Sequence, residues 1–127
     1  MKKTNISLIG FGYWGPNVAK NIFKNNDMVL YSICDHQESR LKMARAIYIE
    51  QTSYELDYKK ILSDPEIDAV AIVVETSGHF KLAKEALLSG KHVYIEKPFT
   101  ETVAEAEELK ELADSLGLII HVDHIMI

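Results

Sequence analysis

Ile6-Ser7-Leu8-Ile9-Gly10-Phe11-Gly12-Tyr13-Trp14-Gly15-Pro16-Asn17 is the stretch on which the fold turns. Ile6 to Ile9 reads as a short buried strand closed by Gly10. Pro16 fits the first turn of a helix, where its missing N–H costs nothing. From there to Lys24, the residues Val18, Ala19, Ile22 and Phe23 share one helical face. Between strand and helix stands Gly-x-Gly-x-x-Gly, a weak string alone but here in the context it requires. Each glycine has its own reason. Gly10 permits the tight turn, Gly12 leaves the backbone open to an anionic group, and Gly15 lets the helix pack close to the strand. The helix start then presents unpaired N–H groups and the positive end of its dipole.

The pattern continues outward as strand and helix in alternation. Met28 to Cys34 reads as a second strand and Glu38 to Ala46 as a second helix. Tyr58 to Leu62 is a short helix stopped by Asp64-Pro65, and Asp68 to Val74 is almost wholly apolar, as a strand buried on both faces should be. His79 to Ser89 is helical, with Leu82, Ala83, Ala86 and Leu87 inward and Gly90 at its end. His92 to Ile95 is a strand. Thr102-Val103-Ala104-Glu105 has capping-box spacing, and the helix it opens is expected to bury Ala106, Leu109, Leu112 and Ala113 before Gly117 ends it. Leu118 to Val122 is the last strand. Short connections between alternating elements imply a single α/β domain over residues 1–127, a doubly wound parallel sheet with helices on both faces. Flavodoxin-like and dinucleotide-binding (Rossmann-type) variants share that pattern, so the fold alone does not choose a function.

The end of the second strand sharpens the choice. Asp35 stands 20 residues after Gly15, where a carboxylate accepts hydrogen bonds from adenosine ribose hydroxyls. An acid there also repels a 2′-phosphate, which favours NAD over NADP. Arg40, one helical turn further on, is read as a solvated helix residue that could swing toward a phosphate, and His36 as an exposed loop residue near the adenine side.

Composition sets outer limits. The chain has 127 residues, with 47% hydrophobic and 26% charged types, ordinary values for a globular domain. Its 14 Lys+Arg against 19 Asp+Glu leave a net charge of −5. That argues against sequence-independent nucleic-acid binding and against a polybasic membrane surface. A single cysteine, Cys34, has no partner for a disulfide or a metal knuckle and reads as a buried core side chain. The longest apolar run, Ala69 to Val74, is far short of a span of about 20 residues, and the start of the chain shows no long apolar leader. A cytoplasmic setting is the default expectation.

Three segments then resemble a known family: the Gly10–Asn17 turn, the His79 helix, and Gly90-Lys91-His92-Val93-Tyr94-Ile95-Glu96-Lys97-Pro98. Together they look like the N-terminal half of the glucose-fructose oxidoreductase / inositol dehydrogenase / rhizopine-catabolism (Gfo/Idh/MocA) family. The Gly-Lys-His-Val-x-x-Glu-Lys-Pro string is the specific part. The Gly-Tyr-Trp-Gly-Pro-Asn variant is similar to sugar-nucleotide dehydrogenases within that family. The resemblance implies NAD(P)-dependent oxidation or reduction of a sugar, polyol or similar substrate. It implies cofactor contacts from Gly10, Phe11, Gly12, Tyr13, Trp14, Gly15, Asp35, Glu96 and Lys97. It also implies that Lys97 is the catalytic residue near the reacting carbon, in a turn set by Pro98 where a cis bond fits. Hydride transfer from a carbinol needs a cation or acid near the oxygen, and a lysine at a strand's carboxyl end faces the crevice of such sheets.

The chain also departs from the family pattern. Val74 and Glu75 stand where a Thr-Pro pair is usual, and a carboxylate at that place either disfavours a pyrophosphate or points to solvent. The last residues, Val122 to Ile127, differ from the family's usual segment, although His124 could line the pocket. Members of the family carry a second α+β substrate domain, absent from this chain, which holds much of the substrate pocket and the usual oligomer face. This length alone is therefore expected to bind dinucleotide without turning over, and self-association is left open. Two rivals stand beside the oxidoreductase reading: a non-catalytic dinucleotide-binding or sensing module, and an interaction domain whose cofactor site has decayed.

Overall fold

In a computed structural model of the chain, residues 3–12, 14–48 and 52–123 are described. Tyr13 and His124, both among the residues singled out above, lie outside that set. Six strands form one parallel sheet: β1 (Thr4–Ile9), β2 (Met28–Cys34), β3 (Ser53–Glu55), β4 (Ala69–Ile72), β5 (His92–Glu96) and β6 (Ile120–Asp123). Their order is β3-β2-β1-β4-β5-β6. That order separates the dinucleotide-binding variant of the doubly wound fold from the flavodoxin-like one, and its reversal lies between β1 and β4. The connecting helices are α1 (Gly15–Lys24), α2 (Glu38–Ile47), α3 (Tyr58–Leu62), α4 (His79–Leu88) and α5 (Val103–Leu116).

The sequence places most of these elements within a residue or two, and the exceptions have local causes. β3 has no counterpart in the sequence reading. It is three residues long with no alternating pattern, and it forms only because the β2 edge offers a partner: Ser32 pairs with Ser53 and Cys34 with Glu55. The Thr52 hydroxyl adds a bond to Leu30 O, at 2.8 Å. Phe23 does not join the buried face of α1. It is 57% exposed, with its ring tilted against Tyr48 at 5.1 Å, because Val18, Ala19 and Ile22 already fill the space over the sheet. In α5 only Leu109 and Ala113 are buried, while Ala106 and Leu112 are half-buried at the margin.

The core lies on the two faces of the sheet. One side packs Leu8, Ile33, Val18 and Leu41 under α1 and α2, and the other packs Ile72, Ile95, Leu87 and Leu109 under α4 and α5. β4 is buried along its whole length. Ser7 and Ser32 are buried polar residues in adjacent strands, and their hydroxyls satisfy each other. Lys91 is buried at the amino end of β5, where its Nζ donates to Asp64 O (2.6 Å) and Ile67 O (2.8 Å). Burial lowers its pKa, against the pull of Asp64 and Asp68. Lys91 thus ties the loop before β4 to the far end of the sheet from the glycine turn, a packing role unlike that of Lys97 in the same string.

Thr102 caps α5, its hydroxyl accepting from the Glu105 N–H at 3.1 Å, while the Glu105 carboxylate reaches back one residue further than a capping box asks, to the Glu101 N–H at 3.2 Å. No helix among the described residues is long and apolar enough to cross a membrane.

Candidate dinucleotide site

At the carboxyl ends of β1, β2, β4 and β5 a cavity of about 1010 Å³ opens across the point where strand order reverses. Its walls bring together Gly10, Gly12, Trp14, Asp35, Glu96 and Lys97, which come from the carboxyl ends of three strands, β1, β2 and β5. The Phe11 ring is elsewhere: it is 3% exposed in the core under α1, and only its backbone faces the turn. Gly15 is buried in the first turn of α1 and is also absent from the cavity wall.

The three glycines serve three different ends. Gly10 has φ +106°, and a Cβ there would lie 2.1 Å from Val73 O. A Cβ on Gly15 would meet Gly10 O at 2.7 Å. Both glycines are thus places where backbone passes backbone. Gly12 is different: the atoms nearest to a Cβ there belong to the Arg40 guanidinium, with Nη1 at 3.4 Å. The room over Gly12 is bounded by a movable side chain, as a ligand-facing position should be. Trp14 is the N-cap residue of α1 and lines the cavity; the helix has no side-chain cap bond and no acid in its first turn, so the positive end of its dipole lies beside the cavity.

Asp35 is buried, with its side chain 1% exposed. Oδ2 accepts from Phe11 N–H and Oδ1 from Gln37 N–H, each at 2.8 Å. The carboxylate therefore ties the glycine turn to the loop after β2. Arg40 Nη1 lies 3.4 Å from Oδ2, so the sequence reading of Arg40 as a solvated helix residue is corrected: its guanidinium lies between Gly12 and Asp35. The cause is local. Arg40 sits in the first turn of α2, and helical side chains tilt toward their own N-terminus, so a long one there overhangs the loop before the helix. His36 is 80% exposed, with Nδ1 3.7 Å from Asp35 Oδ1.

On the other wall, Glu96 is buried at the end of β5 and Lys97 is exposed beyond it. The Lys97–Pro98 peptide is cis. His79, 3% exposed, holds this turn in place: Nδ1 lies 3.0 Å from both Pro98 O and Phe99 O, and Nε2 lies 3.0 Å from Val74 O. Sequence reading saw His79 only as a helix start. The available signal was a histidine directly after Gly78, at the mouth of a predicted crevice. Glu75 is exposed and also lines the cavity, so its carboxylate reaches solvent at the mouth of the crevice.

Cys34 also lines the cavity, yet it is no nucleophile. Burial, followed by the charges of Glu55, Asp35 and Asp57, pushes its thiol up from 9.0 to about 12. Because the folded value is the higher one, the stability this confers is complete below about pH 9 and is lost as pH rises toward 12. Iodoacetamide at pH 8 should therefore modify the native chain roughly 100-fold or more slower than the urea-unfolded chain. Equal rates in the two states would show an accessible thiolate.

Comparison with known proteins agrees with this geometry. The profile described as "Oxidoreductase family, NAD-binding Rossmann fold" (GFO_IDH_MocA) matches residues 4–124. A myo-inositol 2-dehydrogenase of Thermotoga maritima is 30% identical over 91% of this chain and 34% of its own length. A scyllo-inositol 2-dehydrogenase (NADP(+)) of Bacillus subtilis is 27% identical over 96% of this chain and 35% of its own. Among solved structures, an oxidoreductase of Bacteroides fragilis superposes with a TM-score of 0.89 at 32% identity, over 96% of this chain and 37% of that one. The chain thus spans about a third of the length of the curated relatives it matches. With strand order, cavity and sequence profile in agreement, the chain belongs to the Gfo/Idh/MocA oxidoreductase family, as its NAD-binding Rossmann domain.

Proposed function

We propose that this chain holds the dinucleotide, NAD or NADP, for an oxidoreductase that moves a hydride to or from a carbinol carbon of a polyol or sugar. The observation that carries the reading is the cavity over the β1/β4 reversal, where an uncapped helix start, an open Gly12 and Lys97 face one space. The donor set suits the ligand: backbone N–H groups for a pyrophosphate, a carboxylate loop for a ribose, and a lysine for an oxygen that gains charge. The dinucleotide supplies the hydride acceptor or donor, which no side chain can. Lys97 would stand by the substrate oxygen and hold or accept its proton at Nζ. His79 keeps the Lys97 turn in place through the carbonyls of Pro98 and Phe99. The substrate class is inferred from relatives named as inositol dehydrogenases. Asp35 by itself favours NAD, and the guanidinium lying on it changes that balance.

Titration with NAD, followed by calorimetry and by the fluorescence of Trp14 in the cavity wall, tests the reading. Saturable binding is expected. In Gly12→Val the branched side chain would displace only the end of Arg40 in the empty protein, so the fold should persist. It would also stand where the pyrophosphate approaches, and binding should weaken by at least ~2 kcal/mol, the scale of a few charge-assisted backbone contacts. Unchanged affinity in a folded Gly12→Val protein would place the phosphates elsewhere. A sensing module would bind equally well but show no turnover when joined to a substrate domain.

A further inference from the structure

A histidine ring carries a hydrogen on only one of its two nitrogens unless it is charged. His79 meets an acceptor on both sides. Nδ1 lies 3.0 Å from Pro98 O and from Phe99 O, and Nε2 lies 3.0 Å from Val74 O. A carbonyl oxygen can only accept. In either neutral tautomer a bare ring nitrogen would therefore face a carbonyl oxygen, lone pair to lone pair, at hydrogen-bond distance. The residue is 3% exposed, so bulk water does not come between them. Only a ring with a hydrogen on each nitrogen turns every one of these contacts into a bond.

The charges on this wall are balanced. Glu75 and Lys81 come from the loop after β4 and the first turn of α4, and Glu96 and Lys97 from the end of β5 and the turn after it. All four line the cavity that His79 also lines. Glu96 is 6% exposed, a buried carboxylate in the wall that holds the ring. α4 opens at His79, and the positive end of its dipole opposes a cation there. The three carbonyl oxygens act at closer range, and bonds from a charged donor to them are stronger than those from a neutral one.

We propose that His79 is an imidazolium in the folded protein, and that its second hydrogen fastens the loop after β4 to the Lys97 turn. A neutral ring would bond one of the two and release the other. The loop it fastens is also the one that closes on the glycine turn: Val74 Cγ1 lies 3.1 Å from where a Cβ on Gly10 would be. The charged ring thus sets Lys97 relative to the phosphate turn and not only relative to its own strand. His79 is a positioning residue that acts through Lys97. That role rests on the reading of Lys97 given above, whereas the charge rests on the three carbonyls alone.

Ring-nitrogen NMR of the 15N-labelled chain at pH 7, with the signals tied to the His79 backbone by scalar correlation, reads the charge directly. Both nitrogens of His79 should appear in protonated form, each coupled to its own hydrogen. One protonated and one bare nitrogen would overturn the inference and leave the dinucleotide reading standing. His79→Gln, whose side-chain amide has a single nitrogen to donate, tests the fastening once circular dichroism shows it folded. Amide hydrogen exchange should speed up about tenfold or more in one of the two segments, 75–78 or 99–100, since local opening follows lost restraint. NAD affinity should change little. Unchanged exchange in both segments would overturn the fastening. A charged His79 in a chain that binds no NAD would overturn the dinucleotide reading and leave the charge established.

Discussion

Replacing Gly10 with alanine should destabilise the domain by about 3 kcal/mol or more, the sum of a left-handed backbone position and an overpacked contact. The position admits no relief. Gly10 N–H donates to Cys34 O at 2.8 Å, and Val73 N–H donates to Ile9 O at 2.8 Å. The turn is thereby held against β2 on one side and against the end of β4 on the other. An added Cβ would stand 2.1 Å from Val73 O and 2.8 Å from Val73 C, and neither atom belongs to a flexible side chain. Gly90 provides the contrast. Its φ is +83°, but a Cβ there would meet nothing within 4 Å. Gly90→Ala should therefore cost only about 1–2 kcal/mol, the conformational part alone. Urea unfolding of both variants reads the difference. Equal losses would mean that the close approach of β1 and β4 backbones contributes nothing, contrary to the geometry.

Replacing Lys97 with methionine should leave the fold and the dinucleotide site intact and abolish most of the chemistry. Lys97 is exposed, so losing its charge uncovers no core. It follows β5, while the glycine turn follows β1, with β4 between them. That is two strand spacings, about 10 Å, too far for one ammonium to serve both ends of the crevice. In a turnover-competent protein that carries this domain, kcat should fall roughly 100-fold or more, the scale of one lost acid or electrostatic contact. Dinucleotide affinity, measurable in this chain directly, should change little. Near-normal turnover with badly weakened dinucleotide would instead put Lys97 on the phosphates. No effect on either would make it a solvated loop lysine.

The legible part of this protein was what repeats along the chain or is punctuated by special residues. β1, the glycines, Pro16 and the apolar β4 declare themselves through chemistry that few other arrangements need. The Thr102 cap and the stop at Gly117 are local motifs and both formed, although the Glu105 carboxylate bonds Glu101 N–H in place of Thr102 N–H. β3 was not legible because its stability comes from a neighbouring strand and not from its own pattern. The exposure of Phe23 was hidden for a related reason: helical periodicity tells which residues share a face, not how wide the covered stripe is. In the site, six of the residues read from the sequence line one cavity, but part of what surrounds them was not legible. Asp35 is read from sequence as a ribose acceptor, and its carboxylate also accepts from the N–H groups of Phe11 and Gln37, which spacing does not reveal. Arg40 was read as facing solvent because its reach back over the helix start depends on the loop geometry, which spacing alone does not encode. His79 was missed because its partners are backbone carbonyls, and carbonyls have no letter in a sequence.

The His79 staple has a consequence for how the crevice moves. Buried between Val74 O on one loop and Pro98 O and Phe99 O on another, each 3.0 Å from a ring nitrogen, one imidazole fills the gap between two loops and restrains both. That wall gives up little conformational entropy when a ligand arrives, because its freedom was surrendered on folding. The opposite wall is built otherwise: its boundary is a long arginine side chain with rotamers to spare. The crevice is thus a fixed jaw facing an adjustable one, with the lysine mounted on the fixed side, where a displacement of an ångström would be most damaging to rate.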